Sequence, residues 1–153
     1  MNLDKIDRSL LQYLQQDCKQ TNKELSGKLN LSVTAVYERI KKLERAGVIK
    51  KYVSLIDKDK VNLGFSVFCQ IKLEKHSKEY LTKFESEVTK LDEVLECFHV
   101  SGEYDYLLKV LVTDMKHFRS FMVTKLTTLQ HIGSTQSSFS INEVKNTTAL
   151  VLN

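Results

Sequence analysis

Between Ser32 and Ala46 lies a stretch whose residue types suit contact with a nucleic acid. If Val36, Ile40 and Leu43 form the buried stripe of a helix, then Thr34, Ala35, Tyr37, Glu38, Lys41, Lys42 and Arg45 point away from it, with Arg39 at the flank. Small and polar side chains stand near the N-terminal end, starting at Ser32, and cations follow. A major groove admits one α-helix, and residues near its N-terminus reach base edges while Lys and Arg further along meet phosphate. The same face also suits a solvated helix, and helix-turn-helix units serve protein partners too. Other chemistry has less to stand on. His76, His99, His117 and His131 are scattered, and no phosphate loop, nucleophile elbow or Glu-x-x-His metal pair occurs. Cys97 and His99 share a strand face, which supplies two metal ligands where a structural site takes four. Neither a catalytic centre nor a metal or cofactor is expected.

The elements that must hold the Ser32 to Ala46 face are legible from periodicity. Leu3, Ile6, Leu10, Leu11 and Leu14 recur at helical spacing, with Asp4 and Asp7 in the first turn where the helix dipole favours them. Thr21 and Glu24 stand three apart, as in a capping box, ahead of a short helix carrying Leu25 and Leu29. Asn30 and Leu31 turn the chain, Ser32 caps the third helix, and Gly47 supplies its left-handed stop. These three helices read as a helix-turn-helix. Val48 to Ile56 looks extended, and Asp57 to Lys60 is a polar connector. Beyond it the periods alternate: a strand Phe65 to Leu73, a helix Ser77 to Leu91, strands Val94 to Ser101 and Tyr106 to Thr113, a helix capped by Asp114, and a strand Ser134 to Val144. The order βαββαβ is that of the ferredoxin-like split unit. The expected fold is α+β, with a helix-turn-helix domain over 1–50, a hinge strand and linker over 51–63, and a ferredoxin-like domain over 64–153.

Composition agrees with two small domains. The 153 residues are 42% hydrophobic and 27% charged, near globular averages. No run reaches the roughly 18 apolar residues of a membrane span, and Met1 to Asp7 carries charges where a signal peptide needs an apolar stretch, so a cytoplasmic protein with no membrane partner is expected. Cys18, Cys69 and Cys97 form an odd, widely spaced set without Cys-x-x-Cys, which fits reduced, buried thiols. Up to Leu63 there are 13 Lys and Arg against 8 Asp and Glu, and from Gly64 onward 10 against 11, so the net charge of +4 lies in the front half. Clustered cations favour a polyanion through counterion release. In the back half Phe68, Leu107 and Leu111 fall on the side of the sheet away from its helices, an apolar surface of the kind that marks self-association. A dimer also suits two recognition helices about one DNA turn apart.

Several segments together resemble the Lrp/AsnC family of feast/famine regulators. They are Leu3-Asp4-Lys5-Ile6-Asp7-Arg8; Leu31-Ser32 with Val36 and Arg39-Ile40-Lys41-Lys42-Leu43-Glu44; Gly47-Val48-Ile49 with Tyr52; Val100-Ser101-Gly102-Glu103-Tyr104-Asp105-Tyr106 running on to Val110; and Glu143-Val144-Lys145. The resemblance implies a winged-helix-like DNA reader, a hinge strand, and a regulatory domain that binds a small effector, usually an amino acid. It also implies dimers that assemble into octamers or related rings on promoter DNA, with the effector held between dimers. On that resemblance the effector site comprises Ser101, Gly102, Tyr104, Asp105, Met115, Thr135, Gln136 and Ser138. Asp105 would balance an α-ammonium group, Met115 would add an adaptable apolar wall, and Gly102 would let backbone approach the ligand. Without the resemblance, Gly102 and Asp105 read as an ordinary turn. His131 stands where the family often has glycine.

Two alternatives remain at this stage. A subunit resembling sirohaem decarboxylase would use His99 for tetrapyrrole contact, and the basic recognition helix argues against it. An architectural DNA binder without an effector would keep the front half and lose the ligand.

Overall fold

Asp4 and Thr21 start the first two helices by the same device. In the computed structural model, which describes residues 2–152, the Asp7 N–H donates to Asp4 at 2.7 Å and the Asp4 N–H donates to Asp7 at 3.3 Å. This reciprocal pair caps α1 (Lys5–Gln16), and Thr21 with Glu24 repeats it at α2 (Asn22–Leu29). The second helix ends on Asn30, whose φ of +54° lets the Leu31 N–H reach back to the Ser26 carbonyl at 3.1 Å. Ser32 then accepts the Ala35 N–H at 3.1 Å and caps α3 (Val33–Arg45). At its far end Gly47 takes φ +70°, and the N–H groups of Gly47 and Val48 close on the Glu44 and Leu43 carbonyls, each at 3.0 Å. That is the left-handed stop the glycine predicts.

The chain forms two compact units: residues 2–55 with 144–152, and residues 56–143. In the first, Leu10, Leu11, Leu14, Leu25, Val36 and Leu43 make the core, with Ile40 and Ile49 packed around it. The segment beyond Val144, expected to belong with the back half, returns to this unit. Leu152 packs on the helical core, the Gln12 side chain donates to the Leu152 carbonyl, and Gln15 exchanges two hydrogen bonds with the Leu150 backbone, at 3.0 and 2.7 Å. No strand forms over residues 51–63. The expected hinge strand finds no neighbouring strand within one chain, and Val53, Leu55 and Ile56 stay exposed.

The second unit is built as β1 (Phe65–Leu73), α4 (Lys78–Val88), β2 (Val94–His99), β3 (Tyr106–Val112), α5 (Met115–Thr124), a 3-10 turn (Leu126–Thr128) and β4 (Ile132–Phe139). The sheet order is β2-β3-β1-β4, antiparallel throughout. This is the split βαββαβ arrangement. One face carries Val67, Cys69, Ile71, Leu73, Leu108, Val110 and Val112 against Phe84, Val88, Phe118 and Phe121 of the two helices. Several element ends differ from expectation. The helix after Asp114 breaks at Lys125 into the 3-10 turn; α4 ends at Val88 rather than Leu91; β2 stops at His99, because β3 begins only at Tyr106; and β4 runs from Ile132 to Phe139 rather than from Ser134 to Val144. On the other face Phe68 and Phe98 are 38% and 51% exposed, beside the half-buried Leu107 and Leu111.

Candidate functional site

The outward face of α3 divides into an N-terminal half whose one charge is Glu38 and a second half that carries its cations. Ser32, Thr34, Tyr37 and Glu38 are exposed and Ala35 half-buried, while Val36 and Leu43 are fully enclosed beneath. Its four cations are not equivalent. Arg39 turns inward: its Nη1 lies 2.8 Å from Asp4 Oδ2 and 2.6 Å from Asp7 Oδ1. Lys41 pairs with Glu44 at 2.7 Å, and its ammonium stands 5.8 Å from the Tyr37 ring centre. The Tyr52 hydroxyl donates to the other Glu44 oxygen at 3.0 Å. The hydrogen bond and charge of Lys41, with Tyr52, hold the Glu44 carboxyl below its ordinary range, and Glu44 raises Lys41 in return. Lys42 and Arg45 are exposed and have no ion-pair partner among the described residues. Together with Asp4, Glu38 and Arg39 they line an open depression.

The periodicity assigned Asp4 and Asp7 only to a helix dipole. Arg39 follows Val36 by three and precedes Leu43 by four, which puts it on the inward row of α3, but nothing in that spacing points to Asp4 or Asp7 on another helix.

The second group of expected site residues surrounds the turn from β2 to β3. Gly102 takes φ +120°, a geometry that favours glycine, and the Val100 N–H closes the turn on the Asp105 carbonyl at 2.9 Å. Ser101 is exposed at its tip. The Tyr104 hydroxyl donates to the Gln136 side-chain oxygen at 2.6 Å, so two of the expected residues meet across the sheet edge. Asp105 is bound to its own fold on both oxygens. The Leu73 N–H donates to Oδ2 at 2.8 Å, and His76 Nδ1 lies 2.9 Å from Oδ1. Burial opposes ionisation there, but the Leu73 N–H and His76 outweigh it and hold the Asp105 carboxyl below its usual range. His76 was not singled out from sequence, and nothing in its spacing pointed to Asp105.

Strand register separates the remaining residues. Gln136 pairs with Gln70 and Ser138 with Phe68, which places both on the uncovered face, whereas Thr135 pairs with Ile71 and faces the helices. Met115 opens α5, beyond the far end of β3 from the turn, so about 20 Å of strand separates it from Gly102. One chain therefore does not gather all eight residues into one pocket. Met115 can join the turn only from another copy.

His99 stacks on Tyr106 with ring centres 4.8 Å apart, and its centre lies 5.8 Å from that of His76. Among the described residues no group of three or more His, Cys, Asp or Glu is arranged to hold a metal ion. No described helix is long and apolar enough to cross a membrane.

Comparison with known proteins bears on both halves. Residues 3–50 match a winged helix-turn-helix DNA-binding model, and residues 66–150 match the Lrp/AsnC ligand binding domain. The chain is 40% identical to the DNA-binding transcriptional activator DecR of Escherichia coli over 97% of each protein. It is 37% identical to the leucine-responsive regulatory protein of the same organism, over 99% of this chain and 92% of the other. A transcriptional regulator of Neisseria meningitidis, solved as its L-Met complex, superposes with a TM-score of 0.92 at 39% identity, covering 97% of this chain and 96% of that one.

Proposed function

The chain belongs to the Lrp/AsnC family of transcriptional regulators, and from that premise we propose how its own residues read DNA and sense an effector. Residues 1–50 form the reader, 51–63 the connector, and 64–153 supply the regulatory domain, although the last of these residues pack back on the reader. Thr34, Ala35, Tyr37 and Glu38 meet base edges at the N-terminal half of α3, with Ser32 at the phosphate beside the helix start. Lys42 and Arg45 contact phosphates. Lys41 reaches the backbone only by exchanging Glu44 for it. The observation that carries this reading is the division of the α3 face into an N-terminal half that bears no cation and a C-terminal half in which Lys42 and Arg45 have no ion-pair partner among the described residues.

The effector is a small amino acid held at the exposed edge formed by Ser101, Gly102, Tyr104, Gln136 and Ser138. Asp105 fixes the turn and faces the ligand's ammonium group, Thr135 supports β4 from the helix side, and Met115 closes the site from a neighbouring subunit. The L-Met complex of the Neisseria relative supports this chemistry. The uncovered sheet face seats a second copy, which makes the dimer the building block and an octamer the assembly that the family resemblance favours. The protein acts in the cytoplasm, on double-stranded promoter DNA.

Calorimetric titration with L-methionine, L-leucine and the other L-amino acids tests the effector half. Wild type binds at least one of them, and Gln136→Leu, which removes the Tyr104 partner without touching the core, weakens that binding about tenfold or more. Heats indistinguishable between wild type and Gln136→Leu would remove this edge from the site.

A further inference from the structure

Arg39 stands in the middle of the DNA-facing helix, yet its charge is directed into the fold. The guanidinium meets Asp4 at 2.8 Å and Asp7 at 2.6 Å, and the Asp7 side chain is only 1% exposed. One positive and two negative charges leave this cluster without a net positive field for a phosphate. The two carboxylates belong to the cap of α1 and are held there by their own reciprocal bonds. A single planar group therefore ties the centre of α3 to the first turn of α1, at a point between the buried Val36 and Leu43. Val36 and Leu43, with the partly buried Ile40, fix how deep α3 sits, and the charged clamp adds a directional constraint on its rotation about its own axis.

Rotation matters most to Tyr37 and Glu38, which lie just before Arg39 on the outer side. Side-chain tips stand about 5 to 6 Å from a helix axis, so a rotation of about 15° moves them by about 1.5 Å. That displacement breaks a hydrogen bond to a base edge. It changes contacts to phosphate much less, since those are long-range and made by flexible Lys42 and Arg45.

We propose that Arg39 is a positioning residue for DNA reading: its clamp on Asp4 and Asp7 sets the rotation of α3 that aims Tyr37 and Glu38, and it makes no phosphate contact of its own. The proposal rests on the DNA-reading function above. Its distinctive consequence concerns Asp4. Removing that negative charge, by electrostatics alone, strengthens attraction to any duplex; a positioning role predicts the opposite for the preferred site only.

The test begins by selecting a preferred site from a randomised duplex pool with the full-length wild-type protein. A wild type with no preferred site overturns the DNA-reading conclusion and the proposal with it, and that result precedes any variant. Dissociation constants are then measured across a salt series for the selected and a random duplex. Asp4→Asn keeps the N-cap, because asparagine caps as well as aspartate, and removes one leg of the clamp. Arg39→Gln combined with Asp7→Asn removes the clamp without leaving a buried charge unpaired. Asp4→Asn is expected to lower the preference for the selected site about tenfold while random binding is unchanged or tighter, and the double variant is expected to lose preference with an unchanged salt slope. Should the double variant not fold, Asp4→Asn alone decides. Preference within twofold of wild type in Asp4→Asn, or a slope shallower by about 1 with equal losses on both duplexes in the double variant, overturns the proposal.

Discussion

Arg39 and Lys41 already hold carboxylates, which leaves Lys42 and Arg45 as the cations of α3 without an ion-pair partner among the described residues and hence as its proposed phosphate contacts. Lys42→Ala should therefore weaken binding to all duplexes alike and reduce the salt slope by about 1, whereas Tyr37→Ala should change which sequence is preferred. Anisotropy titrations on specific and random duplexes separate the two; equal losses for both variants on both duplexes would contradict the assignment. At Asp105 the prediction concerns acid. Its carboxyl is held low in the folded state by the Leu73 N–H and His76, against burial, so the stabilisation is present above the unfolded value and is lost as pH falls through the folded one. Melting temperatures of wild type should fall below about pH 4, and those of Asp105→Asn should fall less over the same interval. Parallel curves would show that Asp105 contributes nothing to acid sensitivity. Of these residue contacts the sequence showed the caps and the outward set, since both follow from spacing along one helix. The Asp4–Arg39–Asp7 and Leu73–Asp105–His76 contacts join residues some 30 positions apart, where no local period reaches.

Among the elements, the order and type of every strand and helix in the back half were legible because its periods switch between two and 3.6, while several of their ends were not. The strand Phe65–Leu73 came out at both ends as read, and Gly47 and Asn30 terminate their helices by left-handed geometry. His131 adopts φ +71°, and its ring stacks on Tyr80 with centres 3.7 Å apart. The positive φ explains a glycine-favouring position, and the stack offsets the strain of about 1 kcal/mol that a side chain brings there. The tail was not legible. Residues 145–152 have no helical or strand period, and their role comes from Leu152 on the helical core and the Gln15 bonds to Leu150. A chain ending at Ala149 should lose about 2 to 3 kcal/mol of stability in the helical unit, from one half-buried leucine and the lost hydrogen bonds. Hydrogen exchange along α1 reads this directly; protection equal to that of the full chain would show the tail to be idle.

For the molecule as a whole, the proposed dimer rests on an antiparallel sheet face that carries Phe68, Phe98, Leu107 and Leu111 and is uncovered within one chain. Sequence alternation disclosed three of these four; Phe98 escaped notice because β2 pairs with β3 across a bulge that leaves Leu95 exposed. Leu107→Lys places a charge in the middle of that face and should yield a monomer by sedimentation, with DNA affinity reduced because two linked readers become one. An unchanged oligomer would locate the interface elsewhere.

The most direct measurement is fluorescence anisotropy of the full-length protein on DNA from upstream of its own gene, across a salt series, with and without the L-amino acid that calorimetry identifies. An effector-gated regulator binds tightly at low salt, loses affinity steeply as salt rises, and changes affinity or stoichiometry when the amino acid is added. Absence of binding even at low salt would contradict the DNA reader, and binding indifferent to the amino acid would contradict the gating.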